Sequence, residues 1–160
     1  MTKKLKALLL CAGFGTRLRP LTLRNPKCLM QIAGKPLLGL WLEKLEKYGF
    51  HEILINTHYL SEKVNEYLKK MPENNRMKIK TIYEKKLLGT AATLMENKYF
   101  FKDSTGFLIH GDNLTNFNLL ELLNAHNKRG SNCLLTMLTF NSKNPRQCGI
   151  VETDQNDILK

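Results

Sequence analysis

Short apolar runs alternate along this chain with amphipathic stretches of 10 to 14 residues, and that rhythm constrains the fold more than any single residue. "LKALLLC" (5 to 11) is an apolar run closed by Gly13 and reads as a buried strand. "PLLGLWLEKLEKYG" (36 to 49) begins with proline, sets Leu38, Trp41, Leu42 and Leu45 on one face and stops at Gly49, the pattern of a helix. "EILINT" (52 to 57) is a second strand, and "SEKVNEYLKKM" (61 to 71) a second helix, capped by Ser61 and closed by Pro72. "MKIKTIYE" (77 to 84) alternates like a more exposed strand, and "GTAATLMENKYF" (89 to 100) opens a third helix at Gly89. "TGFLIHGD" (105 to 112) is a strand ending in glycine and an acid, followed by the helix "NLLELLNAHNKRG" (118 to 130) with a C-terminal glycine. "NCLLTMLTF" (132 to 140) predicts a further strand, and "CGIVETDQNDILK" (148 to 160) a β-hairpin turning at Asp154 to Asn156. Strands alternating with helices imply βαβ units: an α/β three-layer sandwich, a mostly parallel sheet with helices on both faces.

The length of 160 residues suits one domain, enough to bury about 70% of the surface its unfolded chain exposes. Cys11, Cys28, Cys133 and Cys148 form no C-x-x-C pair and no cluster with histidine, so reduced, structural thiols are expected. Lys3, Lys4 and Lys6 run straight into a short strand, which is neither a secretory leader nor a membrane span, and a soluble cytoplasmic protein is expected. The net charge of +11 admits nucleic acid, anionic membrane or small phosphorylated ligands. Lys44, Lys47, Lys63, Lys69 and Lys70 fall on ordinary solvated helix faces, and aromatics are not interleaved with arginines as a single-strand-binding platform requires. Neither nucleic acid nor membrane is therefore expected as a partner.

In open parallel sheets ligands sit outside the carboxyl ends of the strands. "CAGFGTRLRPLTLRNPK" (11 to 27) leaves the first strand there, and "HGD" (110 to 112) leaves the fourth, which puts both loops at one edge. Gly13 and Gly15 let the backbone turn sharply and bring its amides close to an anion. The stretch is no dinucleotide fingerprint, because Leu18 takes the place of the third glycine, and no Walker A loop, because no G-K-S/T follows; Gly34-Lys35-Pro36 fails the same test. What marks the loop is its pair of unlike cations: Arg17, able to clamp phosphate oxygens with two bonds, and Lys27, a compact point charge. Such a pair suits a polyphosphate. Arg19 and Arg24 read as solvating cations of a long loop, His51, His58 and His126 as scattered, and Trp41 and Phe50 as core residues.

The stretch "LLLCAGFGTRLRPLTLRNPKCLMQIAGKPLL" resembles the N-terminal signature of the sugar-1-phosphate nucleotidyltransferases, the pyrophosphorylases that make nucleotide sugars. G-x-G-T-R-L, P-x-T, P-K and G-K-P are met in order and spacing, and the likeness continues through "YEKKLLGTA" (83 to 91) and "HGDN" (110 to 113), nearest to the mannose-1-phosphate guanylyltransferase-like branch. The resemblance implies a Rossmann-like fold and a reaction joining a nucleoside triphosphate to a sugar 1-phosphate, for nucleotide-sugar and polysaccharide biosynthesis. It implies that the backbone at Leu10, Ala12 and Gly13 faces base and ribose, that Gly15, Thr16 and Arg17 hold the triphosphate, and that Lys27 reaches the reacting phosphate. It further implies that Glu84 and Gly89 meet the base and that Asp112 holds Mg²⁺. A carboxylate at Glu84 accepting two hydrogen bonds would favour guanine, with its N1–H and 2-amino group on one edge.

Transfer of a nucleotidyl group brings two anions together, so cations and metal dominate the lowering of the barrier and no protein nucleophile is required. One departure stands out. The chain ends at Lys160, where the family runs on into an F-x-E-K-P segment for the sugar phosphate and a second metal-binding aspartate, so a single nucleotidyltransferase domain (1–160) lacking its C-terminal sugar-phosphate part is expected. Two alternatives remain beside the sugar-1-phosphate enzyme: a cytidylyltransferase acting on a non-sugar phosphate, and a nucleotide-binding module impaired in catalysis. Sugar, base and oligomeric state are not fixed by the sequence, and a homo-oligomer stays open.

Overall fold

The computed structural model describes residues 3–72 and 76–155. Its centre is a four-stranded, all-parallel sheet of β1 (Lys4–Leu10), β4 (Glu52–Thr57), β5 (Lys78–Tyr83) and β6 (Ser104–His110), in the order β5-β4-β1-β6. The helices α1 (Leu37–Lys47), α2 (Ser61–Lys69) and α3 (Thr90–Glu96) connect these strands, as the alternating pattern predicts. The sheet grows outward from β1 in one direction through β4 and β5, then returns to β1's other side with β6. With right-handed crossovers, that reversal sets α1 and α2 on one face and α3 on the other.

The apolar run of β1 is buried because it is the second of two inner strands: Ala7, Leu8 and Leu9 are fully enclosed, as are Ile53 and Ile55 of β4. The predicted apolar face of α1 (Leu38, Trp41, Leu42, Leu45) closes one side, and Phe50 meets Phe107 edge to face at 5.0 Å. Lys44 departs from the solvated reading. Its ammonium donates to the Thr115 carbonyl at 2.9 Å and lies over the Trp41 ring, and burial lowers its pKa.

Several element ends move for identifiable reasons. Leu60, in a left-handed conformation, precedes α2, so Ser61 is the first helical residue and makes no cap bond. The helix expected to reach residue 100 stops at Glu96: the Asn97 side chain donates to the Thr93 carbonyl at 2.8 Å, and a 3₁₀ turn (Lys98–Phe101) follows. A two-residue hairpin, β2 (Gln31–Ile32) with β3 (Lys35–Pro36), was not expected; it is too short for any periodicity to announce.

Contacts divide the chain at Thr115/Asn116. In the second unit, α4 (Leu119–Lys128) is capped by Asn118, whose side chain accepts from the Leu120 amide at 3.0 Å. Gly130 does not end it. Arg129 does, by turning extended and placing its guanidinium on the His126 carbonyl at 2.5 Å. The strand predicted over 132–140 is not formed, because a strand needs a neighbouring strand to pair its N–H and C=O groups and none among the described residues lies along this segment. Leu134 is 89% and Phe140 78% exposed. Of the expected hairpin, 156–160 lie outside the described residues, and within 148–155 only Thr153 carries an isolated bridge.

Candidate functional site

Parallel register aligns the carboxyl ends of three strands: Leu10 stands beside Asn56 on one side and His110 on the other. The loops after β1 and β6 therefore leave the sheet side by side, at the point where strand order reverses.

The loop after β1 is shaped by its anchor. Gly15 adopts φ 63°, and a Cβ on it would stand 2.8 Å from the methyl of Thr22, closer than side chains pack. Thr22, 1% exposed, donates its hydroxyl to the Gly15 carbonyl at 2.8 Å. The loop is thus pinned across seven residues by a threonine that sequence reasoning quoted in the P-x-T motif and gave no task. Three short 3₁₀ turns (Thr16–Leu18, Leu21–Leu23, Lys27–Leu29) carry the chain back so that Lys27 returns to the sheet edge. There its ammonium donates to Asp112 Oδ2 at 2.6 Å, both side chains about one-third exposed.

A cavity of about 270 Å³ opens at this place, lined among others by Gly13, Gly15, Thr16, Arg17, Lys27 and Asp112. Leu10 and the two buried thiols, Cys11 and Cys28, form its floor. The neighbouring Cys28 thiol, then burial, push the Cys11 thiol well above its ordinary pKa, so it is held as a neutral thiol. Arg19, Arg24 and Lys35 are not among the cavity's lining residues; Lys35 pairs with Glu43 on the surface at 2.8 Å.

Among the described residues no cluster of three or more His, Cys, Asp or Glu side chains could enclose a metal. Asp112 nevertheless fits Mg²⁺, which binds through one or two carboxylates and completes its shell with water and substrate phosphates. Its Oδ2 is engaged by Lys27.

Glu84 and Gly89 lie elsewhere. Glu84 follows β5 and is 6% exposed, bordering a second hollow of about 520 Å³ with Tyr83 and Leu88, while Gly89 (φ 83°) precedes α3. Its carboxylate is largely occupied. Asn56 Nδ2 donates to Oε1 at 2.9 Å, the Thr93 hydroxyl to the same oxygen at 2.6 Å, and the Leu88 amide to Oε2 at 3.1 Å. Burial pushes its pKa up, but these three donors and nearby His58 outweigh it and hold the carboxyl below its ordinary value. With about four acceptor positions on a carboxylate and three filled, the two-bond recognition of guanine is not on offer without breaking a bond in place.

Asn56 was also missed by sequence reasoning. It is 3% exposed and turns its other end to the loop, its Oδ1 accepting from the Cys11 amide at 2.7 Å. The signal was an asparagine inside a strand run, "INT", where a buried amide has to find partners. His58 is engaged too, its Nδ1 2.8 Å from the Glu84 carbonyl and its ring edge-on to Phe14.

Fold and cavity together define an α/β protein with a glycine-containing loop, bearing Arg17 and Lys27, at the switch point of a parallel sheet. Residues 6–160 match the nucleotidyl transferase family, and the chain belongs to that family. It is 32% identical over 154 residues to mannose-1-phosphate guanylyltransferase 1 of Arabidopsis thaliana, covering 94% of this chain and 42% of that protein. It is 30% identical over 165 residues to the UTP–glucose-1-phosphate uridylyltransferase of Synechocystis, covering 95% of this chain and again 42% of the relative. In structure it is similar to the CTP:phosphocholine cytidylyltransferase of Streptococcus pneumoniae, with a TM-score of 0.61, 30% identity and coverage of 72% of this chain and 48% of that one. The chain thus spans less than half the length of these relatives.

Proposed function

We propose that the chain carries the nucleotide half of a nucleotidyltransferase that joins a nucleoside triphosphate to a sugar 1-phosphate, such as mannose 1-phosphate, with release of pyrophosphate. The observation that carries this reading is the convergence of Arg17, Lys27 and Asp112 on one cavity beside a glycine loop. The kinship with two sugar-1-phosphate nucleotidyltransferases supports it.

In the reaction an oxygen of the sugar phosphate attacks the α-phosphorus, a new P–O bond forms, and the bond to the β-phosphate breaks with its electron pair leaving on pyrophosphate. Gly13, Gly15 and Thr16 hold the phosphates, while Arg17 clamps oxygens on which charge gathers. Lys27 meets the phosphate at the reacting centre. Leu10, Ala12, Gly13 and Gly89 border base and ribose. Asp112 is the residue that would hold Mg²⁺, whose contribution is to neutralise charge on the phosphates. One positioned cation is worth about 3 kcal/mol, roughly a hundredfold in rate.

A pyrophosphate-release assay with each of four nucleoside triphosphates against a panel of sugar 1-phosphates tests the proposal. In an active form extended to the length of its relatives, turnover is expected with at least one pair, and Arg17→Ala and Lys27→Ala each lower it at least about tenfold with the fold intact. Unchanged rates in both variants would refute the assigned roles. A second reading, a cytidylyltransferase acting on a non-sugar phosphate, is favoured by the structural likeness to the pneumococcal enzyme and by the occupied Glu84 carboxylate, which gives guanine no advantage. Turnover of CTP with phosphocholine and of no sugar phosphate would select it.

A further inference from the structure

Two parts of the nucleotide half are joined by an unbroken line of hydrogen bonds between strand ends. The Cys11 amide, where the phosphate loop begins, donates to Asn56 Oδ1; Asn56 Nδ2 donates to Glu84 Oε1; and Glu84 Oε2 accepts from the Leu88 amide, one residue before Gly89. The line crosses from the end of β1 through the end of β4 to the end of β5 and the start of α3. Thr93, fully buried in α3, locks the carboxylate from the helix side, and the backbone is stitched alongside, Glu84 N–H donating to the Thr57 carbonyl at 2.8 Å and Thr93 N–H to the Gly89 carbonyl at 3.0 Å. Every bond is short, and the two side chains that carry it are 3% and 6% exposed, so none competes freely with water.

We infer that Glu84 is a positioning residue that acts through Asn56 on the Cys11 amide, setting the phosphate loop against the Leu88–Gly89 turn, rather than a group that reads the base. This rests on the phosphate-binding reading of the loop. Because the Asn56 amide can donate to Glu84 only while its oxygen faces Cys11, the carboxylate fixes which way that amide points and so where the loop leaves β1.

The inference separates from base reading by a ligand without a base. Binding of inorganic tripolyphosphate with Mg²⁺, and of GTP, ATP, UTP and CTP, is measured by titration calorimetry on the chain and on Glu84→Gln, Asn56→Asp and the double variant. Each single change sets two like groups face to face and is expected to weaken tripolyphosphate and all the bound nucleotides alike, by about tenfold. The double variant reverses the polarity of the pair: the new amide at 84 donates to the new carboxylate at 56, which still accepts from Cys11. Recovery to within about threefold of the original affinity is expected. Loss for one nucleobase with tripolyphosphate unchanged, or simple addition of the two losses, overturns the inference. If the unaltered chain binds neither tripolyphosphate nor any nucleotide, the phosphate-binding reading itself fails. A measurement on the unaltered chain covers variants that do not fold: tripolyphosphate should shift the amide resonance of Leu88 together with that of Cys11, and a silent Leu88 overturns the relay.

Discussion

Two apolar stretches of similar length, "LKALLLC" in β1 and "NCLLTMLTF" at 132–140, have opposite fates. In the first, Ala7, Leu8 and Leu9 are fully enclosed, with parallel ladders on both edges. In the second, no ladder forms, and Leu134 and Phe140 stand 89% and 78% exposed. Composition does not separate them; partners do. Hydrophobic content nominates a strand, and hydrogen-bonded neighbours decide whether it exists.

Four substitutions can break or sharpen this contrast. The largest effect is expected from Leu8→Ala, which leaves a void between strands and should cost about 3 kcal/mol in urea unfolding. A loss below about 1 kcal/mol would mean that β1 is not the core strand described. Next comes Gly15→Ala, which puts a Cβ against Thr22 in a left-handed backbone and should cost about 2 kcal/mol. It should also weaken tripolyphosphate binding, whereas equal stability and affinity would show that the loop needs no glycine there.

A smaller change, about 1 kcal/mol at neutral pH, is expected from Glu84→Gln. Because the folded pKa of Glu84 is depressed, its contribution is complete above the ordinary glutamate value of 4.5 and is lost as pH falls through the lower folded value. The gap in melting temperature between the chain and this variant should therefore narrow on acidification below that value; a gap that widens would refute the bonding described. Smallest of all, Leu134→Ser should move stability by no more than about 0.5 kcal/mol. A cost as large as that of Leu8→Ala would show that 132–140 is buried after all.

Much of the sheet was legible because β1, β4, β5 and β6 each declare themselves by an apolar or alternating run within a residue or two of its ends. The juxtaposition of Lys27 with Asp112, 85 residues apart, was half legible: sequence placed both loops at one edge, and the parallel register of β1 with β6 does the rest. What could not be read was direction. That Glu84 spends its carboxylate on Asn56, Thr93 and Leu88 depends on how three side chains and a turn point at the ends of two strands, which no spacing encodes. Thr22 and Asn56 were in view as letters, but their work lies in single hydrogen bonds to backbone atoms of the loop.

The bond between Lys27 and Asp112 makes the two cations of the cavity unequal at rest: one charge is cancelled, while Arg17 forms no ion pair among the described residues. A phosphorylated ligand that arrives with a divalent cation exchanges one contact for two of the same kind, ammonium to phosphate and carboxylate to cation. Either visitor alone leaves a charge stranded. On the proposed function, with Asp112 holding Mg²⁺ and Lys27 meeting phosphate, the pair would act as an AND gate, favouring the metal–polyphosphate complex over its separate parts.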